Sequence, residues 1–168
     1  MNNTMKTKVE WIPKLNSNWG LGRVKNLFYI SKELSTKENP TILSLARSAV
    51  KIRDISNNEG QLAASYDNYN SVKVGDLLLN PMDLYSGANC NVSNVEGVIS
   101  PAYANLRAKV DLVPKYYDYF FKVQYWTMAM FAHGKGVSFD NRWTLNNDGL
   151  MNYEAPILPY NEQVKIVE

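Results

Sequence analysis

The chain has one cysteine, Cys90, and one histidine, His133. A single cysteine excludes a disulfide framework. One residue of each kind is too few to build a zinc site from them. No apolar run approaches the ~18 residues of a membrane-spanning helix. The N-terminus, Met1-Asn2-Asn3-Thr4-Met5-Lys6, lacks the apolar core of a secretory signal. These absences lead us to expect a reducing, cytoplasmic setting and no membrane partner. Strong charge of either sign is also missing, with a net charge of +2. We find no internal repeat and no low-complexity tract.

What is present is ordinary in bulk and uneven in detail. The 168 residues suit one domain able to bury a core without staples. Aromatic residues reach 12%, with eleven Tyr and four Trp, types that suit half-buried, half-polar surfaces. Residues 1–60 hold ten Lys/Arg against five Asp/Glu, and residues 61–168 hold eight against eleven. A polyanion would therefore be drawn to the first third.

Along the chain, residues 1–10 read as a frayed polar arm. Trp11 and Trp19 flank a turn-rich stretch and are expected to pin the arm to the core. Residues 21–34 space Leu21, Val24, Leu27, Phe28 and Ile30 as a short helix or a strand-to-helix passage. Segments 41–47 and 49–53 read as strands, and 57–60 as a turn. Residues 72–80 read as a strand with Gly75-Asp76 as an internal bend, and 95–106 as another, broken at Ser100-Pro101. A long helix is predicted from Pro114 to His133, apolar nearly all round, buried on several sides and closed by Gly134. Residues 146–150 read as a turn into a short helix. Pro156 and Pro159 hold an extended segment, and Asn161 is the expected N-cap of a helix starting at Glu162. Strands that precede the one long helix favour an α+β fold. We expect a single domain with a twisted mixed or antiparallel sheet, one long buried helix and a few short helices.

Several pieces fall in a telling order. They are Glu10-Trp11-Ile12-Pro13 with Trp19, Gly75-Asp76-Leu77, Asn80-Pro81-Met82-Asp83-Leu84, and Val98-Ile99-Ser100-Pro101-Ala102-Tyr103. Gly136-Val137 with Arg142-Trp143, and Pro159-Tyr160-Asn161-Glu162-Gln163, complete the series. From Glu10 to Gln163 this resembles the target-recognition domain of the specificity subunit of type I restriction–modification enzymes. The resemblance implies recognition of one half-site in double-stranded DNA, without catalysis and without a cofactor of its own. It implies companion methyltransferase subunits carrying S-adenosylmethionine and a restriction subunit carrying an ATP-driven motor and nuclease. It divides the chain into an arm (1–10), a recognition domain (11–160) and the start of a truncated spacer helix (161–168). A full specificity subunit has two such domains and two spacers. This chain is expected to be an isolated domain, a truncated chain or a half-length subunit.

Reading bases needs donors and acceptors carried into the major groove, and positioning needs cations against phosphate. Two polar loops offer these. The first, Asn80 to Asn94, carries Asn80, Tyr85, Ser86, Asn89 and Asn91. The second, Gly134 to Arg142, carries Lys135, Ser138, Asn141 and Arg142. Arg47, Lys51 and Arg53 on the early strands are candidates for the phosphate backbone. The plain alternative is that Asn and Gly serve as turn formers, and that Arg142 stacks on Trp143 or pairs with Asp140 or Asp148.

Two other classes compete. One is a small enzyme, an adenine methyltransferase or a hydrolase built on Asp76, Asp83 and His133. Asn80-Pro81-Met82-Asp83 superficially resembles the Asn/Asp-Pro-Pro-aromatic stretch of amino-methyltransferases. Its last two positions differ, and no Gly-rich cofactor loop follows a strand nearby. His133 sits at a helix end with no apparent nucleophile to serve. The other class is a protein-interaction module docking through Tyr- and Trp-rich surface.

Overall fold

In the computed structural model, residues 3–56, 63–85, 89–138 and 143–168 are described. The chain starts with strands β1 (Thr4–Lys6), β2 (Lys14–Asn16) and β3 (Gly20–Arg23), a single helical turn α1 (Val24–Leu27), then β4 (Phe28–Ile30), β5 (Leu43–Leu45) and β6 (Val50–Ile52). It continues through β7 (Asn70–Val72), β8 (Leu77–Leu79), β9 (Cys90–Val92), β10 (Gly97–Ile99) and β11 (Ala104–Ala108). Helix α2 (Pro114–Trp126), a 3-10 turn (Met130–His133), α3 (Asn147–Asn152), β12 (Glu154–Ile157) and α4 (Tyr160–Val167) complete it. The fold is α+β, and among the described residues the named strands pair antiparallel, with one isolated parallel bridge between Ile42 and Val98.

The central sheet has the order β4-β11-β8-β9. Strand β8 is Leu77-Leu78-Leu79, apolar on both faces because both faces are covered. Leu77 and Leu79 point into a large core with Phe28, Tyr117, Phe121 and Met130. Leu78 points the other way, into a second core with Leu43, Leu45, Val50, Val72 and Ile99. Helix α2 therefore covers one face, while the β5–β6 hairpin and the β7–β10 pair cover the other. Each of these fully buried side chains contributes roughly 1.5–3 kcal/mol relative to exposure.

The N-terminal arm is anchored rather than frayed. Strand β1 pairs with β2, Thr4 opposite Asn16, and Val9, Ile12 and Leu15 form a small core of their own. Trp11 stacks on Tyr153 at 4.6 Å and donates its indole N–H to the Glu154 carbonyl at 3.1 Å. Trp19 donates to the Glu162 carboxylate. The tryptophans of the opening signature thus close onto the strand and helix of the final one.

The long helix is shorter than its apolar pattern implies. α2 ends at Trp126, and Met128 takes a left-handed φ of 60°. The chain then bends so that Met130 is fully buried and the Phe131 carbonyl accepts from the Trp143 indole at 2.8 Å. Nor is α2 covered all round. Tyr116, Tyr117, Phe121 and Tyr125 face the cores, while Tyr119, Val123 and Trp126 face out, Trp126 with 70% of its surface exposed.

The predicted strand 72–80 is two strands in two sheets. Gly75 at φ +92° turns the chain between β7 and β8, a conformation that favours glycine. The Asp76 carboxylate locks that turn by accepting from the Lys73 N–H at 2.9 Å. The last helix begins one residue before Asn161, capped from Pro159, whose carbonyl accepts from the N–H groups of Glu162 and Gln163. The Gln163 side chain is buried, accepting from Val113 N–H at 2.8 Å and donating to the Leu158 carbonyl at 2.9 Å. The turn into a short helix expected at 146–150 is found as α3, and its cap is Asn146, whose side chain accepts from Gly149 N–H. The turn expected at 57–60 lies outside the described residues.

Candidate nucleic-acid interface

The two polar loops singled out in the sequence lie against each other. Leu84 N–H donates to the Trp143 carbonyl at 3.0 Å, and Leu145 N–H to the Pro81 carbonyl at 2.9 Å. The Thr144 hydroxyl donates to the Met82 carbonyl at 3.2 Å. Lys135 and Thr144 exchange both backbone hydrogen bonds at 2.9 Å, closing the base of the second loop. Gly134 sits so close to the Trp143 ring and Leu84 that a Cβ would lie 2.5 Å from the indole nitrogen. A hydroxyl of α2, that of Tyr125, donates to the Asn80 carbonyl and supports the junction from below.

The basic hairpin joins the same region through one side chain. The Asn91 amide donates to the Ala46 carbonyl at 2.7 Å and the Arg47 carbonyl at 3.2 Å, holding the β5–β6 bend against β9. The hairpin base is fixed separately, by Val98 N–H donating to the Thr41 carbonyl at 2.8 Å.

Within this arrangement the sequence candidates part company. Arg47 and Lys51 are exposed on the hairpin, Arg53 is half-buried, and Lys135 is exposed. Tyr85 is 55% exposed, its ring 6.4 Å from that of Phe131, so an aromatic edge is offered to solvent. Ser138 is half-buried. Asn80 uses its side-chain oxygen to accept from Met82 N–H at 3.0 Å, a turn former's role. Asn89 is half-buried, and its side-chain oxygen is enclosed with no hydrogen-bond partner among the described residues. Asn91 is a correction: it is 3% exposed and spends its amide on the hairpin bend, so no base edge can reach it. Strand alternation explains this, because Cys90 and Val92 face the α2 core and Asn91 must face the other way. Ser86, Asn141 and Arg142 lie outside the described residues.

The pattern missed the residues that hold Asn91. Its oxygen accepts from the Lys122 ammonium at 3.0 Å, which also donates to Asp118 at 2.8 Å. Asp118 is fully buried and takes a second ammonium, from Lys115, at 2.6 Å. The signal was available as a carboxylate flanked by lysines at i−3 and i+4 in an otherwise apolar helix. Asn105 was also missed. It lies on β11 beside Leu78 and donates to the Ser71 carbonyl of β7 at 2.9 Å.

The candidate catalytic groups are engaged elsewhere. Asp76 is 3% exposed and receives a two-pronged contact from Arg107, both arms at 2.9 Å. Hydrogen bonds from Arg107 and then Lys73 hold the Glu33 carboxyl below the usual carboxylate range. His133 packs edge-on against Trp11 at 4.8 Å and Tyr153 at 5.4 Å. Burial pushes the Cys90 thiol well up, and the Asp118 charge adds to it. Among the described residues no group of three or more His, Cys, Asp and Glu lies placed to hold a metal ion. None of their helices is long and apolar enough to cross a membrane.

Comparison with solved structures decides what this scaffold is. A crystal structure of the HsdS subunit from Thermoanaerobacter tengcongensis matches 98% of the chain at 16% identity, with a TM-score of 0.55. The chain has the fold of a type I specificity subunit. A second such structure, the S subunit of a type I restriction–modification system from M. genitalium, matches 97% at 17% identity and a TM-score of 0.58. A further solved chain, from a study of complex assembly and conformational transition of the type I restriction–modification system, matches 91% at 17% identity and a TM-score of 0.56. The match covers 38%, 40% and 37% of those chains, so this chain spans about two fifths of the length of the solved chains it matches. No family model matches the sequence, and no curated protein matches it either. With identity this low, the specificity-subunit likeness rests on chain path.

Proposed function

We propose that this chain is a sequence-reading module for double-stranded DNA. It contacts one half-site and performs no chemistry itself. The observation that carries this reading is the convergence of three segments on a specificity-subunit scaffold. The basic β5–β6 hairpin is tied through Asn91 to β9, the strand that follows residues 80–89, and Pro81, Met82 and Leu84 of that loop are bonded to Leu145, Thr144 and Trp143. Exposed Arg47, Lys51 and Lys135 suit phosphate, and exposed Tyr85 suits a groove edge or a base step. In the assembled enzyme, methyl transfer and cleavage would belong to companion methyltransferase and restriction subunits.

Fluorescence anisotropy with a random-sequence duplex tests this. Binding should be weak and should fall steeply with salt, log K losing about 0.9 per phosphate contact for each decade of salt. Affinity that ignores salt, or no affinity at any salt, contradicts the reading.

The outer face of α2 favours an added role in assembly. Tyr119, Val123 and Trp126 form an apolar stripe in the open, at the i, i+4, i+7 spacing of one helix face. Such surface is characteristic of contact with another protein. Trp126→Glu should abolish capture of a companion methyltransferase subunit while leaving duplex binding unchanged. Loss of both, or of neither, counts against it.

A further inference from the structure

We propose that Asn91, Lys122 and Asp118 form a positioning relay that sets the basic hairpin on DNA. The proposal rests on the DNA-reading function above and deepens it. It names residues that touch no DNA yet determine where Arg47 lies.

Beyond the burial of Leu43, Leu45 and Val50 in the second core, hydrogen bonds among the described residues tie the hairpin to the sheet at two places. Its base is fixed to β10 by the Thr41–Val98 backbone bond. Its bend, closed by Ala46 N–H donating to the Ala49 carbonyl at 3.0 Å, is held by the two bonds from the Asn91 amide. Asn91 cannot turn away, because its oxygen is held by Lys122. Lys122 in turn is only 12% exposed and is tied to the fully buried Asp118 carboxylate. A bond chain thus runs from the core of α2, round the edge strand β9, to the peptide that carries Arg47.

Each link suits a rigid support. An amide that donates to two carbonyls while accepting from an ammonium has one orientation open to it. A charge-assisted bond from a mostly buried lysine is stronger than a neutral one. Asn105 makes the equivalent tie across β8, from β11 to Ser71 of β7, so polar clamps on either side of Leu78 hold down the layer that covers this face. The Asn105 tie reaches a segment without a candidate DNA contact, which makes it the natural control.

The test uses the whole chain as wild type, Asn91→Ala, Lys122→Met, Lys122→Arg, Asn105→Ala, Arg47→Ala and the Asn91→Ala/Arg47→Ala double variant. Amide hydrogen exchange reads the hairpin bend, and anisotropy reads binding to a random-sequence duplex over a salt series. Asn91→Ala should speed exchange at the bend about tenfold while β8 and β11 keep their protection. It should weaken duplex binding about fivefold and flatten the salt slope by about one, as Arg47→Ala does. Adding Arg47→Ala to Asn91→Ala should then cost less than about twofold more, because the two changes act on one contact. Lys122→Met should behave as Asn91→Ala, and it asks the same question if Asn91→Ala does not fold. Lys122→Arg should restore binding, and Asn105→Ala should leave the salt slope unchanged.

A loosened bend with wild-type affinity and slope overturns the positioning role. So does an Arg47→Ala penalty that is equal in both backgrounds. Unchanged exchange at the bend overturns the anchor itself. A wild-type chain that binds no duplex overturns the DNA-reading function instead, and the exchange data still decide the anchor.

Discussion

Asp76 sits where the chain turns from one sheet into the next, and almost all its surface is lost to solvent. Arg107 supplies two hydrogen bonds and Lys73 N–H a third, so the carboxylate is satisfied. Removing the guanidinium would leave a buried charge without a counterpart. Arg107→Met should therefore destabilise the fold by about 3–5 kcal/mol in urea unfolding, the usual cost of breaking a buried pair from one side. A loss under about 1 kcal/mol, typical of a surface pair, would show that the contact is solvated. Cys90 gives a second prediction. Its side chain is fully buried beside Asp118 and its thiol is held protonated. Native protein should not react with a disulfide reagent at pH 8, whereas urea-unfolded protein should react at once, since the thiolate is the nucleophile. At this scale the sequence was legible where local chemistry decides. Gly75 marked its turn, and residues 146–150 their turn into a short helix. It was not legible for Asn91, because burial depends on which strand lies opposite, and residues 80–94 read as one loop.

The elements repeat the lesson. The strand read over 72–80 is found in its second half as β8, whose three leucines are buried on both faces. The length of α2 was not legible, because an apolar run carries no mark where the chain must reverse to bury Met130. The pairing of β1 with β2 was not legible either, since polar strands resemble frayed arm until their partner is known. Helix α2 is the mechanical centre. Phe121 is fully buried among Tyr117, Leu77 and Met130. Phe121→Ala should cost about 3–5 kcal/mol by the usual transfer and cavity terms. Val123→Ala, two residues on at an exposed position, should change stability by less than about 0.5 kcal/mol. Chemical denaturation of the two variants side by side checks both. Equal losses would mean that the outer face of α2 is covered in solution.

Over the whole molecule, four buried tyrosines set the alkaline limit. Burial pushes Tyr116 up to about 12 and drives Tyr117, Tyr125 and Tyr153 higher still. The unfolded chain ionises its tyrosines near the ordinary value of about 10. These groups favour the folded state in full below pH of about 10, and that stability is lost as pH climbs toward 12. The exposed tyrosines should ionise near pH of about 10 with circular dichroism unchanged, and the four buried ones should add their tyrosinate absorbance only together with the loss of circular dichroism at higher pH. Ionisation of all eleven tyrosines with the fold intact would mean that these four are open to solvent.

The same scale holds the functional claim. A two-faced sheet carries α2 on one side, and on the other a basic hairpin that reaches two loops joined edge to edge. Hydrogen exchange with and without a saturating duplex tests that claim most directly. The account predicts slowed exchange at residues 46–53, in the 80–91 loop and across 134–144, with the outer turns of α2 unaffected. Protection confined to residues 119–128, or no protection in those three segments under conditions where the duplex is bound, would contradict it.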